Sequence, residues 1–312
     1  MTRALRDNPG VPWLGIGLSI VGSVGFAAKG VIAKFLYADG WDPDTVLTVR
    51  ALLALPVLGA WAWWAIGAER LFRPPPRALL GSVLAGAICY YVGALLDFRA
   101  LAMIDASVER VLLFSYPSVI VVLHAVLYRR RPEGRVLAAL VITYAGIVMV
   151  VTALDLGVLH GNLTGAGLVL ICALTSALYY LAGERLTPTI GSLAFSFYAL
   201  AAAALCLVVQ QALSGRVSAG AWNARDLWLM LALVIGATVV PLWAMAEGVQ
   251  RLGAPRASVI ATVGPPTTIL LGAWLLGERL RTAQWAGVAL IVAGILSLEF
   301  ARRPGAAGGP DD

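Results

Sequence analysis

The sequence predicts an all-α integral membrane protein with ten transmembrane helices, arranged as two inverted repeats of five helices each. Three observations predict this fold class: an apolar composition, a series of continuous apolar stretches, and a sequence that occurs twice. Hydrophobic residues make up 60% of the 312 residues and charged residues 13%, and the mean hydropathy is +0.85. One soluble core cannot bury this much apolar surface, so we expect the chain to lie in a lipid bilayer.

Ten apolar stretches are each long enough to cross the hydrocarbon core, which takes about 20 residues in a helix. A transmembrane barrel would instead show alternating segments of about ten residues, whereas these stretches are continuous and rich in leucine, alanine and valine. The predicted spans are 13–35, 45–66, 78–98, 105–127, 135–154, 163–184, 191–213, 226–249, 255–276 and 282–300.

The sequence of residues 109–147 recurs over 258–295, so that Pro117 corresponds to Pro266 and Gly146 to Gly294. Since five spans per copy is an odd number, the second copy enters the membrane from the opposite side, and the two copies are inverted. Inverted repeats are typical of carriers that exchange two conformations between their halves, which favours alternating access. The predicted domains are an N-terminal segment 1–12, a first repeat 13–154, a second repeat 155–300 and a disordered tail 301–312.

The basic residues predict the orientation of the chain. With the N-terminus in the cytoplasm, 14 of the 23 lysine and arginine residues fall in inner segments, as the positive-inside rule requires. We therefore expect a multi-pass protein of the cell (inner) membrane with both termini in the cytoplasm. This topology explains the net charge of +6, so no nucleic-acid partner is predicted. The expected partners are the lipid bilayer and a small-molecule substrate, with the chain a monomer or a weak homodimer.

The motifs of intramembrane enzymes and of nucleotide-binding proteins are not found in the sequence. It contains no HExxH, no GxSxG and no histidine-rich cluster, and Cys89, Cys172 and Cys206 have no paired spacing. This pattern argues against a zinc site and a disulfide framework. We expect no enzymatic activity, no catalytic residue, no cofactor and no metal.

The string ASVIATVGPPTTILLGAWLLGERL from Ala257 resembles the second repeat of EamA-type carriers in the drug/metabolite transporter superfamily. The Gly277-Glu278 pair and the duplicated proline are its more specific signals, and Arg50 in the second span is similar to an arginine of that family. The resemblance implies a helix bundle around a central cavity that exports or exchanges small organic metabolites, with amino acids well represented. The alternatives are a channel or facilitator for small solutes and, less favoured, a membrane scaffold or receptor.

Charged, aromatic and hydroxyl side chains within the spans are the candidates for the cavity. Lys29 lies too deep to reach the interface easily, and Glu109 lies past the first turn of its span, so each is expected to have an ionic partner or to face the cavity. A structural ion pair from Glu109 to Lys29, Arg99 or the neighbours of Arg110 is the alternative, as is ordinary helix packing for the aromatic residues. The cavity candidates are Phe26, Lys29, Tyr90, Tyr91, Glu109, Ser115, Tyr116, Ser176, Tyr179 and Trp243.

Two smaller groups of residues bear on mechanism. Pro117, Pro265 and Pro266 fall near the middle of their spans, where a proline is expected to kink a continuous helix and to serve as a hinge. Glu247 and His124 are candidates for proton coupling, because a desolvated carboxyl group can titrate near neutral pH. The alternatives are an i,i+4 ion pair from Glu247 to Arg251 and a packing role for His124.

Overall fold

The computed structural model describes residues 11–104, 109, 112–129, 131–152, 163–214, 222–276 and 282–300. Helices hold almost all of these residues, and strands hold none of them. The predicted all-α fold class is therefore confirmed for the described part of the chain. The tail 301–312, most of the segment 1–12, and the Gly277-Glu278 pair lie outside the described residues.

Most of the described residues lie in twelve helices. In chain order they are α1 (Val11–Ala38), α2 (Pro43–Ile66), α3 (Ala68–Phe72), α4 (Pro76–Met103), α5 (Tyr116–Tyr128), α6 (Gly134–Thr152), α7 (Leu163–Ile190), α8 (Ser192–Ser214), α9 (Ala224–Leu252), α10 (Ala254–Ile260), α11 (Gly264–Leu276) and α12 (Thr282–Phe300).

Six helices among the described residues are long and apolar enough to cross a membrane, namely α1, α2, α4, α7, α8 and α9. Each coincides with a predicted span. The shorter helices α6, α10 with α11, and α12 coincide with three of the remaining predicted spans, whereas α5 covers only the second half of the span predicted at 105–127. Large apolar side chains face outward, including Trp64 at 86% and Trp274 at 81% exposure, as lipid contact requires. The crossing of all ten spans and the inversion of the two halves stay predictions.

Local chemistry sets several helix boundaries. The side chains of Asp42 and Asn223 each accept a hydrogen bond from the backbone N–H three residues on, at 3.1 and 2.8 Å, and so cap the starts of α2 and α9. Gly191 joins α7 to α8 and Gly253 joins α9 to α10, each with a φ of 82°. Glycine adopts this left-handed backbone without steric cost, which allows a connection of one residue.

The regular helices are interrupted at corresponding places in the two halves. π-Helical segments lie within α4 at Ala87–Gly93 and within α9 at Ile235–Val239. A turn at Phe114 and Ser115 precedes α5, and a 3-10 turn at Ala261–Val263 separates α10 from α11. At the offset that relates Pro117 to Pro266, these irregular segments overlap without coinciding. Such departures from α-helix are frequent at functional sites.

The prolines lie just after the interruptions. Pro117 is in the first turn of α5, and Pro265 and Pro266 are in the first turn of α11. A proline there costs no helical hydrogen bond, because N–H groups of the first turn have no acceptor within the helix. The regular α-helix therefore resumes at these prolines, after the irregular turns that precede them, and a kink at these positions stays a prediction. A hinge role for these residues stays a prediction.

Helices of the first half pack against helices of the second half. Helix α1 packs against α9 and α11, α2 and α4 pack against α8, and α6 packs against α12. Gly146 and Gly294 allow the close approach of α6 and α12. A Cβ on Gly146 would lie 2.7 Å from the carbonyl oxygen of Gly287, and one on Gly294 would lie 3.1 Å from that of Ala139. The two halves are thus interlocked.

Candidate substrate cavity

A cavity of about 110 Å³ lies among α1, α2, α4, α5, α7 and α9. Both halves of the chain line it, the first through α1, α2, α4 and the start of α5, and the second through α7 and α9. Its lining residues are Ser23, Phe26, Lys29, Arg50, Cys89, Tyr90, Ala94, Asp97, Phe98, Leu113, Phe114, Tyr116, Cys172, Ser176, Tyr179, Tyr180 and Met245.

The cavity has two chemically distinct ends. The charged end is formed by Lys29, Arg50 and Asp97. The tyrosine end is formed by Tyr90, Tyr116, Tyr179 and Tyr180. Along α4, seven residues separate Tyr90 from Asp97, which is about 10 Å at the helical rise per residue. A solute in the cavity can therefore contact ionic groups at one end and aromatic rings at the other.

A buried ion pair occupies the charged end. The Lys29 ammonium pairs with the Asp97 carboxylate, and the two residues are only 9% and 1% exposed. The Lys29 Nζ atom also lies 5.5 Å from the ring centroid of Phe98, within the range of a cation–π contact. Removing both charges from water is costly, so the pair and the ring together compensate the burial of Lys29.

Arg50 approaches the same Phe98 ring from α2. Its Cζ atom lies 4.9 Å from the ring centroid, and the residue is 3% exposed. Arg50 Nη1 donates to the Thr238 hydroxyl at 3.5 Å, and Thr238 in turn donates to the Leu233 carbonyl at 2.7 Å. Thr238 belongs to the π-helical segment of α9, so this segment helps to position the guanidinium at the cavity.

Paired aromatic rings form the tyrosine end. Tyr90 and Tyr179 meet edge to face with centroids 4.8 Å apart. The centroids of Tyr116 and Tyr180 are 5.2 Å apart, and their hydroxyl oxygens are 3.3 Å apart. Tyrosine offers flat apolar contact together with one hydroxyl group. This end is therefore suited to an apolar group that carries few polar atoms.

Hydroxyl groups cover the carbonyls at the two helix interruptions beside the cavity. Ser23 donates to the Ala261 carbonyl in the 3-10 turn. Tyr144 donates to the Phe114 carbonyl, before α5, at 2.6 Å. Non-helical backbone at membrane depth is tolerated where protein or water covers it. The interruptions are thus supported by specific side chains on α1 and α6.

The sequence can now be compared with those of known proteins. A profile of the EamA-like transporter family matches residues 13–152 and again residues 163–299. These two ranges cover most of the chain. The chain belongs to the EamA-like transporter family.

Curated relatives agree with this assignment. "Uncharacterized transporter YcbK" of Bacillus subtilis is 30% identical over 291 residues, which cover 90% of this chain and 91% of YcbK. "Uncharacterized inner membrane transporter YicL" of Salmonella typhimurium is 26% identical, over 92% of this chain and 96% of YicL. The chain is thus a membrane transporter of the EamA-like family.

A solved crystal structure has the same fold as this EamA-like transporter. It superposes with a TM-score of 0.73 at 19% sequence identity, and the match covers 91% of this chain and 97% of that one. At this identity the likeness concerns the fold alone.

Six of the ten predicted cavity residues of this EamA-like transporter line one cavity. They are Phe26, Lys29, Tyr90, Tyr116, Ser176 and Tyr179. The structure brings them together from α1, α4, α5 and α7, which lie far apart in the sequence. Their contact with a substrate stays a prediction, and the shared cavity is the reason to keep it.

The other four candidates are not among the lining residues. Tyr91 follows Tyr90, and neighbouring residues on a helix project in different directions. Trp243 packs against Trp61 with ring centroids 4.8 Å apart. Ser115 lies in the turn before α5, and Glu109 is fully buried.

Two of the basic residues considered as ion-pair partners of Glu109 pair with other carboxylates, while a structural ion pair of Glu109 stays an open alternative. Lys29 pairs with Asp97, and the Arg99 guanidinium pairs with Asp44 at 2.6 Å. Both basic residues thus have acidic partners other than Glu109.

The two candidates for proton coupling lie away from the cavity lining. Glu247 accepts hydrogen bonds from Ser192 and, at 2.8 Å, from Arg251 Nε, which is the i,i+4 pair expected as the alternative. His124 Nε2 lies 3.5 Å from a carboxylate oxygen of Glu184. Proton coupling through Glu247 or His124 stays a prediction.

Sequence reasoning did not select two ionic residues that the structure places at the charged end. Asp97 and Arg50 are not among the predicted cavity residues, and Arg50 stands out in the sequence only for its family resemblance. The position of Asp97 inside an apolar span could have identified it, because an acidic residue there needs a cationic partner.

The described residues contain no group of three or more histidine, cysteine or acidic residues placed to hold a metal ion. Cys89 and Cys172 line the cavity, and both are free thiols, as is Cys206.

Proposed function

We propose that this protein is a secondary transporter that exports or exchanges a small organic metabolite, with an amino acid or a related compound as the favoured class, by alternating access. The observation that carries the proposal is the buried cavity with a charged end and a tyrosine end. It lies where the two halves of the chain interlock, in a family of transporters. In the proposed topology, both termini are in the cytoplasm and the protein lies in the inner membrane.

The chemistry of the cavity favours a solute with one ionic and one apolar part. Lys29, Arg50 and Asp97 supply ionic contacts at one end, and tyrosine rings supply apolar contact about 10 Å away. Ligand pockets usually enclose roughly 300–1,000 Å³, whereas this cavity holds about 110 Å³. Under the proposal the structure corresponds to a contracted state, and the cavity widens when the solute enters.

Alternating access is supported by the paired interruptions of the helices. The π-helical segments Ala87–Gly93 and Ile235–Val239, and the breaks before α5 and α11, occur at corresponding positions of the two halves. An inverted pair of repeats can exchange two conformations. We propose that Pro117, Pro265 and Pro266 define the points at which the helix segments move.

Counterflow in liposomes tests this function. Purified protein is reconstituted into liposomes preloaded with one unlabelled amino acid at a time, and uptake of the same labelled amino acid is followed. A carrier gives saturable uptake that is accelerated by internal solute. Conduction that does not saturate and shows no counterflow supports the channel instead.

The solute is found by comparing metabolites in the growth medium of overproducing and deleted cells. A compound enriched outside overproducing cells is then used in the liposome assay. Protein-free liposomes and the Arg99→Gln variant serve as controls, because Arg99 is half exposed and outside the cavity lining. Absence of counterflow with every excreted compound contradicts the proposal.

A further inference from the structure

Arg50 has hydrogen-bonding capacity that the described residues do not use. A guanidinium carries five N–H donors, yet Arg50 Nη1 makes one long bond of 3.5 Å to Thr238. The Arg50 Nε atom is buried and has no hydrogen-bond acceptor among the described residues. Since buried donors are usually satisfied, an acceptor is expected to come from a molecule in the cavity that Arg50 lines.

The charge balance of the charged end favours an anion. Asp97 is already paired with Lys29, so the positive charge of Arg50 is the one left over among these three groups. The Phe98 ring stabilises the guanidinium through its face but supplies no negative charge. The charged end therefore carries one net positive charge from its lining residues.

We propose that Arg50 binds the carboxylate group of the transported solute. The planar fork of a guanidinium matches a carboxylate with two parallel hydrogen bonds. The remainder of the solute then extends toward the tyrosine end. This inference deepens the transport function proposed above and rests on it, because it assigns the substrate class and the residue that recognises it.

A single carboxylate fits the site better than a phosphate group. A phosphate monoester carries between one and two negative charges near neutral pH, whereas one unpaired basic group is available. A carboxylate solute also needs no displacement of Asp97 from Lys29. Inorganic phosphate is nevertheless included in the test, because it shares the anionic chemistry.

Thermal unfolding of the full-length protein in detergent tests the proposal with matched pairs of probes. Each pair consists of a carboxylic acid and its own amide, which removes the charge but keeps the shape: butyrate and butyramide, and leucine and leucinamide. We expect at least one acid to raise the unfolding midpoint in a saturable way, and its amide to be at least tenfold weaker. Inorganic phosphate is expected to have no saturable effect.

Two substitutions place the effect on Arg50. Arg50→Gln is expected to weaken acid binding at least tenfold and to abolish the preference for the acid over the amide. Arg50→Lys keeps the charge but loses the fork, so binding about tenfold weaker is expected. Arg99→Gln, an arginine substitution at an exposed ion pair outside the cavity, is expected to bind the acid as the unsubstituted protein does.

Several outcomes overturn the proposal. They are equal binding of acid and amide, saturable binding of phosphate in place of the acids, no binding of any acid up to tens of millimolar, or unchanged acid binding by Arg50→Gln. If Arg50→Gln does not fold, the Arg50→Lys variant is used in its place. Unchanged acid affinity in Arg50→Lys would show that the two parallel guanidinium hydrogen bonds do not bind the carboxylate. Counterflow of a solute without a carboxylate would refute this inference while leaving the transport function intact.

Discussion

The two halves of the chain agree in their backbone and differ in their chemistry. Both contain a π-helical segment, at Ala87–Gly93 and Ile235–Val239, and both have an interruption followed by proline, before α5 and before α11. Gly146 and Gly294, which correspond in sequence, both lie at the close contact of α6 with α12. Features that let the backbone bend or approach closely thus occur in both halves.

Among the described residues that line the cavity, the ionic ones all belong to the first half. Lys29 corresponds to Tyr179 of the second half, Phe98 corresponds to Glu247, and Asp97 therefore corresponds to Ala246. A cavity formed by interlocked halves consequently has a charged end and a tyrosine end. Under the function proposed above, both halves supply the points of movement while the ionic contacts to the solute come from the first half, and each prediction below tests one side of that contrast.

The largest effect is expected from breaking the Lys29–Asp97 pair. Lys29→Met or Asp97→Asn leaves one charge buried without its partner, which typically costs about 3–5 kcal/mol. We expect a correspondingly lower unfolding midpoint in detergent and loss of counterflow. Tyr179→Phe, at the position corresponding to Lys29, is expected to cost less than about 1 kcal/mol, because the buried Tyr179 hydroxyl has no hydrogen-bond partner among the described residues.

A double variant separates stability from recognition. Lys29→Met with Asp97→Asn removes both charges, so its stability is expected to lie closer to that of the original protein than either single variant. If both single variants unfold at the original midpoint, the Lys29–Asp97 pair does not compensate the burial of its charges. The difference in charge between the two halves then contributes nothing to stability.

The sequence was sufficient to predict the six long apolar helices, because continuous apolar stretches of helical length report directly on burial in lipid. The sequence also identified Lys29 and Tyr179 as candidates for the cavity, since polar atoms in an apolar span need a partner or a cavity. The sequence could not show which acidic residue faces Lys29. That contact depends on the rotation of α4, and the π-helical segment Ala87–Gly93 shifts the phase of the helix just before Asp97.

The positions of the helix interruptions before α5 and α11 could be predicted from the sequence, but their backbone geometry could not. Pro117 and Pro266 marked the right positions, yet a proline is compatible both with a kink and with a helix start. The choice depends on whether another residue satisfies the freed carbonyls. Here Tyr144 and Ser23 do so from other helices, and the sequence gives no sign of those long-range contacts.

Similar effects in the two halves are expected when the close contact of α6 with α12 is disturbed. A Cβ at Gly146 or at Gly294 would lie within 3.1 Å of backbone atoms of the other helix. Overpacking of this kind costs roughly 1–3 kcal/mol, so Gly146→Ala and Gly294→Ala should lower the unfolding midpoint by similar amounts. Gly167→Ala is the control, because a Cβ there would meet nothing within 4 Å. Clearly unequal losses would show that the two positions do not correspond.

A smaller effect on stability is expected at the prolines. Pro117→Ala and Pro266→Ala remove no contact that a helix start requires, so each should change the free energy of unfolding by about 1 kcal/mol or less. If the interruptions are the points of movement, both variants should slow counterflow and leave solute binding nearly unchanged. A reduced binding affinity with an unchanged rate contradicts the hinge role, and an effect of one proline without the other contradicts the symmetry.

The smallest effect on stability is expected at Glu247, the residue of the second half that corresponds in sequence to Phe98 of the first half. Its partly buried pair with Arg251 contributes on the order of 1 kcal/mol or less, so Glu247→Gln should fold normally. If Glu247 carries a coupled proton, this variant should keep counterflow but lose solute accumulation driven by a pH gradient across the liposome membrane. Arg251→Gln keeps the carboxyl group and should retain accumulation. Accumulation that persists in Glu247→Gln removes Glu247 from the coupling mechanism, and the same measurement on His124→Gln then tests the other candidate.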